Sequence, residues 1–342
     1  MSKIRGGIIN MKELNLHLYE GNGIPIKQRN MELPGYQPIE DFDHPRYYIA
    51  DKGLRDAVNV ALALGQPLLV TGEPGTGKTQ LADSIAWEFG LPKLEFHTKT
   101  TSTAVDLFYQ YDALRRFQDA HLSEKKRLNI DDYITFQALG NAILLTMPPE
   151  EANEYLPEEL KGNGPTRSVV LIDEIDKAPR DLPNNVLDEI EKMCFTVKET
   201  GKTFKTIKRL RPILVLTSNS EKNLPDAFLR RCVFYHIPFP APQQLKEIVQ
   251  KRFAGQPDFT PAFIDAAVNS FFEIRSLALK KKPATAEFLG WLQVLRSMEL
   301  DPKDIDFKTG KAEALVISFY ILAKSDEDFS AMRKKVGAEM QG

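Results

Sequence analysis

With 342 residues, the chain is long enough for two domains, or for one large domain with an appendage. Forty-five basic residues against 47 acidic ones leave a net charge of -2, which gives no global reason to expect a nucleic-acid binder; 42% apolar and 27% charged residues make an ordinary globular balance. Two cysteines, Cys194 and Cys232, are too few for a disulfide framework and fit no metal spacing, no apolar run approaches the ~18–20 residues of a membrane span, and the first residues carry no signal-peptide core, so a soluble cytoplasmic protein is expected.

Residues 1–46 show no sustained period and carry Gly21, Gly23, Pro25, Pro34 and Pro38, which reads as an extended arm or linker. From Leu54 the pattern sharpens. Leu54, Val58, Ala61 and Leu62 stripe a helix that Gly65 ends, and residues 68–71 form a short apolar strand. A glycine-rich run follows, then a helix marked by Leu81, Ile85 and Phe89, then a strand over 94–96. Residues 104–166 read as mostly helical, and 169–172 as another apolar strand. Leu182, Val186, Ile190 and Met193 stripe one helix, and Thr200-Gly201-Lys202 turns a hairpin between 195–198 and 203–207. Strands over 213–216 and 233–237 complete a strand–helix alternation that indicates a parallel α/β sheet. After Pro238-Phe239-Pro240 the strands stop. Four helices, around Leu245, Ile264, Trp291 and Leu315, predict a small all-α domain over 241–342, behind an α/β domain over 47–240.

Two motifs carry chemistry. Gly72-Glu73-Pro74-Gly75-Thr76-Gly77-Lys78-Thr79 satisfies G-x-x-x-x-G-K-[ST] between a strand and a helix, the setting a phosphate cradle needs. Glycines let the backbone turn its N–H groups toward phosphate oxygens, and the helix start adds its positive end. Lys78 is placed to reach the β- and γ-phosphates and the Thr79 hydroxyl to coordinate Mg²⁺; Gln80 completes the binding stretch. The strand at 169–172 ends in Asp173-Glu174, where the first acid suits Mg²⁺ and the second the attacking water. Together these predict an α/β P-loop NTPase with a parallel sheet flanked by helices and a helical lid, using ATP/ADP and Mg²⁺. Asp176 reads as a loop cap or surface charge. Asn219, at the end of the next strand, is either an orienting amide or an ordinary turn former.

The order of these motifs resembles the AAA+ superfamily and, within it, the MoxR-like, helix-2-insertion branch. The stretches that carry the resemblance are 67–79, 169–179 (Asp173-Glu174-Ile175-Asp176-Lys177-Ala178 against that branch's D-E-I-N-R-A), 217–219 and 224–232. The resemblance implies an insertion within 104–165, Asn219 as sensor 1, and Arg231, with Arg230 beside it, as an arginine finger serving a neighbouring subunit. It further implies a homo-oligomeric ring, hexameric in many relatives, and a protein partner that often carries a von Willebrand factor A domain. One departure is plain: where relatives place a sensor-2 arginine, this chain has Lys280-Lys281-Lys282, as a substitute or as a solvated basic loop. Tyr47, Tyr48 and Ile49 stand where relatives contact adenine.

The leading functional expectation is a MoxR-type chaperone or remodeller driven by ATP. The alternative is a nucleic-acid-stimulated motor or the ATPase arm of a defence or restriction system, for which Lys202, Lys205, Lys208, Arg209 and Arg211 would line a pore. A third is a nucleotide-dependent scaffold with little turnover.

Overall fold

A computed structural model describes residues 19, 44–122, 129–162, 164–220, 224–308 and 310–337. Nearly all of the N-terminal stretch read as an arm therefore lies outside the described residues. The chain divides into two compact units, one over 48–238 and the other from 239 onward together with residues 44–47.

The first unit is built on a five-stranded parallel sheet. Its strands are β1 (Leu68–Gly72), β2 (Lys93–His97), β5 (Val169–Asp173), β8 (Ile213–Ser218) and β9 (Val233–Ile237), in the order β2-β5-β8-β1-β9. The central strands are apolar at successive positions because both faces are covered. Leu68, Val70, Leu171 and Val215 pack under helices α1 (Lys52–Leu64) and α2 (Lys78–Phe89). Leu69, Val170, Ile172 and Leu216 face the opposite core with Leu139, Ile143 and Ile190.

Two local signals set the edges of the first layer. Asp51 caps α1 by accepting the Leu54 N–H at 2.8 Å, and the same oxygen accepts the Tyr235 hydroxyl at 2.7 Å, tying the helix start to β9. Gly65 and Gly90, both left-handed, end α1 and α2 where sequence punctuation places their stops.

Between β2 and β5 the structure departs from the mostly helical expectation. This stretch holds an antiparallel pair, β3 (Tyr109–Tyr111) and β4 (Ile134–Phe136), with helices α3 (Ala113–Leu122), α4 (Ala138–Leu144) and α5 (Pro149–Ala152). α4 is buried throughout, and it crosses Phe108 so closely that a Cβ on Gly140 would stand 2.0 Å from the Phe108 carbonyl oxygen. The hairpin predicted around Gly201 is present as β6 (Cys194–Thr196) and β7 (Thr203–Lys205). An aromatic cluster joins the two small sheets: Phe108 stacks on Phe195 at 5.0 Å and Phe136 meets Phe204 edge-on at 5.5 Å between centroids. The helix expected over 182–193 is broken instead into α6 (Leu182–Asn185) and α7 (Leu187–Lys192), and Met193 takes a left-handed conformation. The apolar period survives the break because Leu182, Val186, Ile190 and Met193 all reach the core.

After the short helix α8 (Asp226–Leu229), which precedes β9, come the helices of the second unit: α9 (Pro242–Arg252), α10 (Pro261–Ser276), α11 (Thr285–Ser297), α12 (Ala312–Ser318) and α13 (Asp326–Lys335). Phe263, Phe271, Phe288, Trp291 and Phe319 fill its core, and the Trp291 indole N–H donates to the Ser318 hydroxyl at 2.7 Å. α13 escaped the sequence reading because its exposed face is densely charged; Met332 is buried and Ser325 caps it.

Replacing Asp51 by alanine removes both the cap and the acceptor for Tyr235. It is expected to cost about 1–2 kcal/mol in denaturant unfolding. Asparagine, which keeps an acceptor, should lose clearly less, and equal losses would place the effect elsewhere.

Candidate functional site

The strand order decides what can meet. β1 delivers the glycine-rich loop and β5 delivers the acids, and β8 lies between them, so their carboxyl ends stand roughly 9–10 Å apart. Side chains at the end of β8 cross that gap.

The loop is shaped by glycines where side chains have no room. Gly72, Gly75 and Gly77 have φ of 153°, 73° and 87°. A Cβ at Gly72 would lie 2.6 Å from the Ile237 carbonyl oxygen, and one at Gly77 would lie 3.2 Å from the Tyr48 ring. Glu73, Pro74 and Thr76 form the outer arc, closed by the Thr76 hydroxyl donating to the Glu73 carbonyl at 2.9 Å. Gly77 stands at the α2 N-terminus and, as a glycine, offers no side-chain cap, so the positive end of the helix, with Thr79 and Gln80 in its first turn, opens on the loop.

Lys78 is buried in this loop and donates to the carbonyl oxygens of Gly72 at 2.9 Å and Glu73 at 3.0 Å, and to the Asn219 side-chain oxygen at 3.1 Å. Burial lowers its pKa, while Asp173, Asp176 and Glu174 oppose that shift by favouring the ammonium. Thr79 donates to Asp173 Oδ1 at 3.1 Å. A hydroxyl and a mostly buried carboxylate side by side are oxygen donors of the kind Mg²⁺ takes, and a glycine cradle at a helix start with a buried ammonium suits a polyphosphate, so this donor set fits both groups.

Glu174 has a left-handed backbone, φ 55° and ψ 49°, and its half-exposed carboxylate pairs with Lys177, whose pKa is raised chiefly by that hydrogen bond. Three groups that the sequence reading did not single out as functional lie here as well. The Thr217 hydroxyl donates to Asp173 Oδ1 at 2.5 Å and accepts the Glu174 N–H at 2.9 Å. Asp176 accepts the Asn219 N–H at 3.3 Å, which makes it part of the site's frame. His97, beside Asp173 in the β2–β5 register, places Nδ1 3.6 Å from Asp173 Oδ2 and Nε2 3.0 Å from Glu95. The signal for Thr217 and Asp176 was a polar residue at the end of an apolar strand or directly after the acids.

Arg230 and Arg231 are not brought to this cluster. They precede β9, whose first residue Val233 lies beside Leu68 at the start of β1, while the loop leaves from the other end of β1, roughly 13 Å away. Arg231 pairs with Glu191 at 3.3 Å and donates to the Ala227 carbonyl at 3.0 Å. Both arginines line a cavity of about 200 Å³ with Arg211, Glu191 and Phe228.

Two of the basic residues over 202–211 are committed within the fold. Lys202 donates to Asp131 at 2.8 Å and to the Tyr155 hydroxyl at 2.9 Å, which raise its pKa. Arg211 donates to the carbonyls of Gly65, Ile190 and Glu191. Of the aromatic pair, Tyr48 lies against the loop at Gly77, and Tyr47 belongs to the other unit, where Arg46 donates to its hydroxyl. Lys280, also in that unit, pairs with Glu327 at 2.7 Å, and the N–H groups of Lys280 and Lys281 are held by the buried Asp328 carboxylate.

Residues 67–232 match the sequence model of the family described as AAA domain (dynein-related subfamily). That span runs from the start of β1 to the residue before β9 and contains the loop, both acids, Asn219 and both arginines. No curated protein matches the chain. Among solved structures, the chain is similar to the RuvB Holliday junction branch migration motor of Thermotoga maritima, at 15% identity over 84% of this chain and 75% of that one, with a TM-score of 0.47. Two mutants of the same protein match at 17% identity, 84% and 75% coverage and a TM-score of 0.45, and at 16%, 84% and 75% with 0.46.

Lys78→Ala removes a charge-assisted donor from the cradle. Affinity for a nucleoside triphosphate should fall by about 2 kcal/mol, roughly 30-fold, in a fluorescence titration. Unchanged affinity would contradict the assignment of the loop.

Proposed function

Starting from the similarity of residues 67–232 to the AAA domain, we propose that this protein binds ATP on the loop at 72–79 and hydrolyses it to ADP and phosphate. The observation that carries the proposal is the meeting of Lys78, Thr79, Asp173 and Asn219 in one hydrogen-bonded cluster at the carboxyl end of the sheet. The α2 N–H groups and Lys78 bind and orient the phosphates. Thr79 and Asp173 hold Mg²⁺, which when bound neutralises developing phosphate charge. Glu174 accepts a hydrogen bond from the attacking water, so that a new P–O bond forms at the γ-phosphorus as the bond to the β–γ bridging oxygen breaks. Lys177 engages Glu174 Oε2, so Oε1 is the oxygen that accepts from the water.

Arg230 and Arg231 complete the site of a neighbouring copy in a homo-oligomeric ring, with a hexamer as the expected size. Their separation from their own chain's loop along β1 supports action in trans. The ring acts as a remodeller of a partner protein, of the MoxR type; a partner with a von Willebrand factor A domain is the expected class. The insertion between β2 and β5 and the stretch from Asp173 to Ala178 support that branch. Lys202 and Arg211, two of the charges that suggested a nucleic-acid pore, are engaged within the fold, which favours a protein partner. Hydrolysis stimulated by DNA, with a steep salt dependence, would reverse that preference.

Glu174→Gln should retain ATP binding and lose most hydrolysis. Arg231→Ala should bind ATP and lose turnover by about 10³-fold or more. Mixing the two inactive variants should restore activity, because intact Glu174 and intact Arg231 then meet at some interfaces. A mixture that stays inactive at every ratio would refute an arginine acting in trans.

A further inference from the structure

Thr217 is fully buried on β8, and its single hydroxyl is engaged on both sides. As a donor it reaches Asp173 Oδ1 at 2.5 Å, the oxygen that Thr79 also reaches. As an acceptor it takes the N–H of Glu174 at 2.9 Å. A hydroxyl has one proton, so donation to Asp173 leaves only its lone pairs for Glu174, and the two bonds are mutually consistent.

Both partners need such support. Asp173 ends β5, and its carboxylate can swing unless one oxygen is fixed. With Oδ1 held by two hydroxyls, Oδ2 lies 3.6 Å from His97 Nδ1. Glu174 sits in the left-handed region, which a residue with a Cβ seldom occupies unless neighbouring contacts impose it. The peptide N–H entering that residue is the one Thr217 captures. One side chain on the central strand therefore fixes the rotation of the first acid and the backbone that aims the second.

We propose that Thr217 is a positioning residue that couples the metal-holding carboxylate of Asp173 to the water-activating Glu174. Its hydroxyl acts through these two acids, donating to one and accepting from the backbone of the other. The proposal rests on the ATPase reading and adds to it a residue without which metal affinity and turnover fall together while the cradle still binds phosphate. Outer-shell partners of this kind are typically worth about 10- to 100-fold in metal affinity or activity.

The test compares the wild type with Thr217→Val, which has nearly the same shape but no hydroxyl, and Thr217→Ser, which keeps the hydroxyl. Three quantities are read on the full chain: ADP affinity in excess EDTA, the Mn²⁺ concentration that half-saturates the ADP-loaded protein by electron paramagnetic resonance, and kcat for ATP. Thr217→Val should keep metal-free ADP affinity within about twofold, raise the Mn²⁺ half-saturation by about tenfold, and lower kcat by about tenfold or more. Thr217→Ser should stay within about threefold of wild type in all three. Wild-type metal affinity and kcat in Thr217→Val would overturn the proposal, and so would a serine variant as impaired as the valine one. If Thr217→Val loses its cooperative unfolding transition, the serine variant decides alone: near-wild-type values support the proposal and a tenfold loss overturns it. A wild type that binds no nucleotide and hydrolyses no ATP would instead overturn the ATPase reading on which this rests, whereas an active wild type with an unimpaired valine variant overturns only the role of Thr217.

Discussion

The position of β8 between β1 and β5 is the constraint on which the site depends. If the strand bearing the loop were beside the strand bearing the acids, Lys78 and Asp173 could meet directly. With a strand interposed, the two sides are joined by Thr79, which reaches Asp173 from the start of α2, and by two residues at the end of β8. Thr217 engages Asp173 and Glu174, and Asn219 engages Lys78. The gap is also useful: it leaves room at the sheet's carboxyl edge for phosphate between an ammonium and two carboxylates, where open α/β sheets bind ligands.

Electrostatics in this gap are balanced rather than one-sided. Burial works against the Lys78 ammonium, and three nearby carboxylates sustain it. The ammonium is also hydrogen-bonded by three oxygens, so it is held in place before any ligand arrives. Glu174 is restrained from the other side by Lys177. Among the described residues, Arg231 stands away from this cluster, at the far end of β1 against Glu191. The proposed action of Arg231 on a neighbouring copy rests on that separation.

Much of this was legible in the sequence because it follows from local chemistry. Apolar runs with no polar alternation mark strands covered on both faces, and glycine at 65 and 90 marks helix ends because only a left-handed residue closes them cheaply. The loop at 72–79 and the pair Asp173–Glu174 were legible for the same reason. What was hidden depends on contacts distant in sequence. β3 and β4 are too short for periodicity, and their place is fixed by the aromatic packing of Phe108, Phe136, Phe195 and Phe204. The break at Val186 leaves the apolar spacing intact and is therefore invisible to it. Thr217 reads as a polar residue at the end of an apolar strand, and only the register with β5 gives its hydroxyl two partners. The engagement of Lys202 and Arg211 within the fold was hidden because Asp131 and Gly65, their partners, are remote in the chain.

The central claim is that the chain hydrolyses ATP at a site one copy cannot complete. The most direct test is the specific rate of ATP hydrolysis as a function of protein concentration, with assembly followed in parallel by light scattering. The rate per subunit should be near zero for the monomer and rise with the assembled fraction to a plateau. A rate per subunit that stays constant down to concentrations where only monomer remains would contradict it.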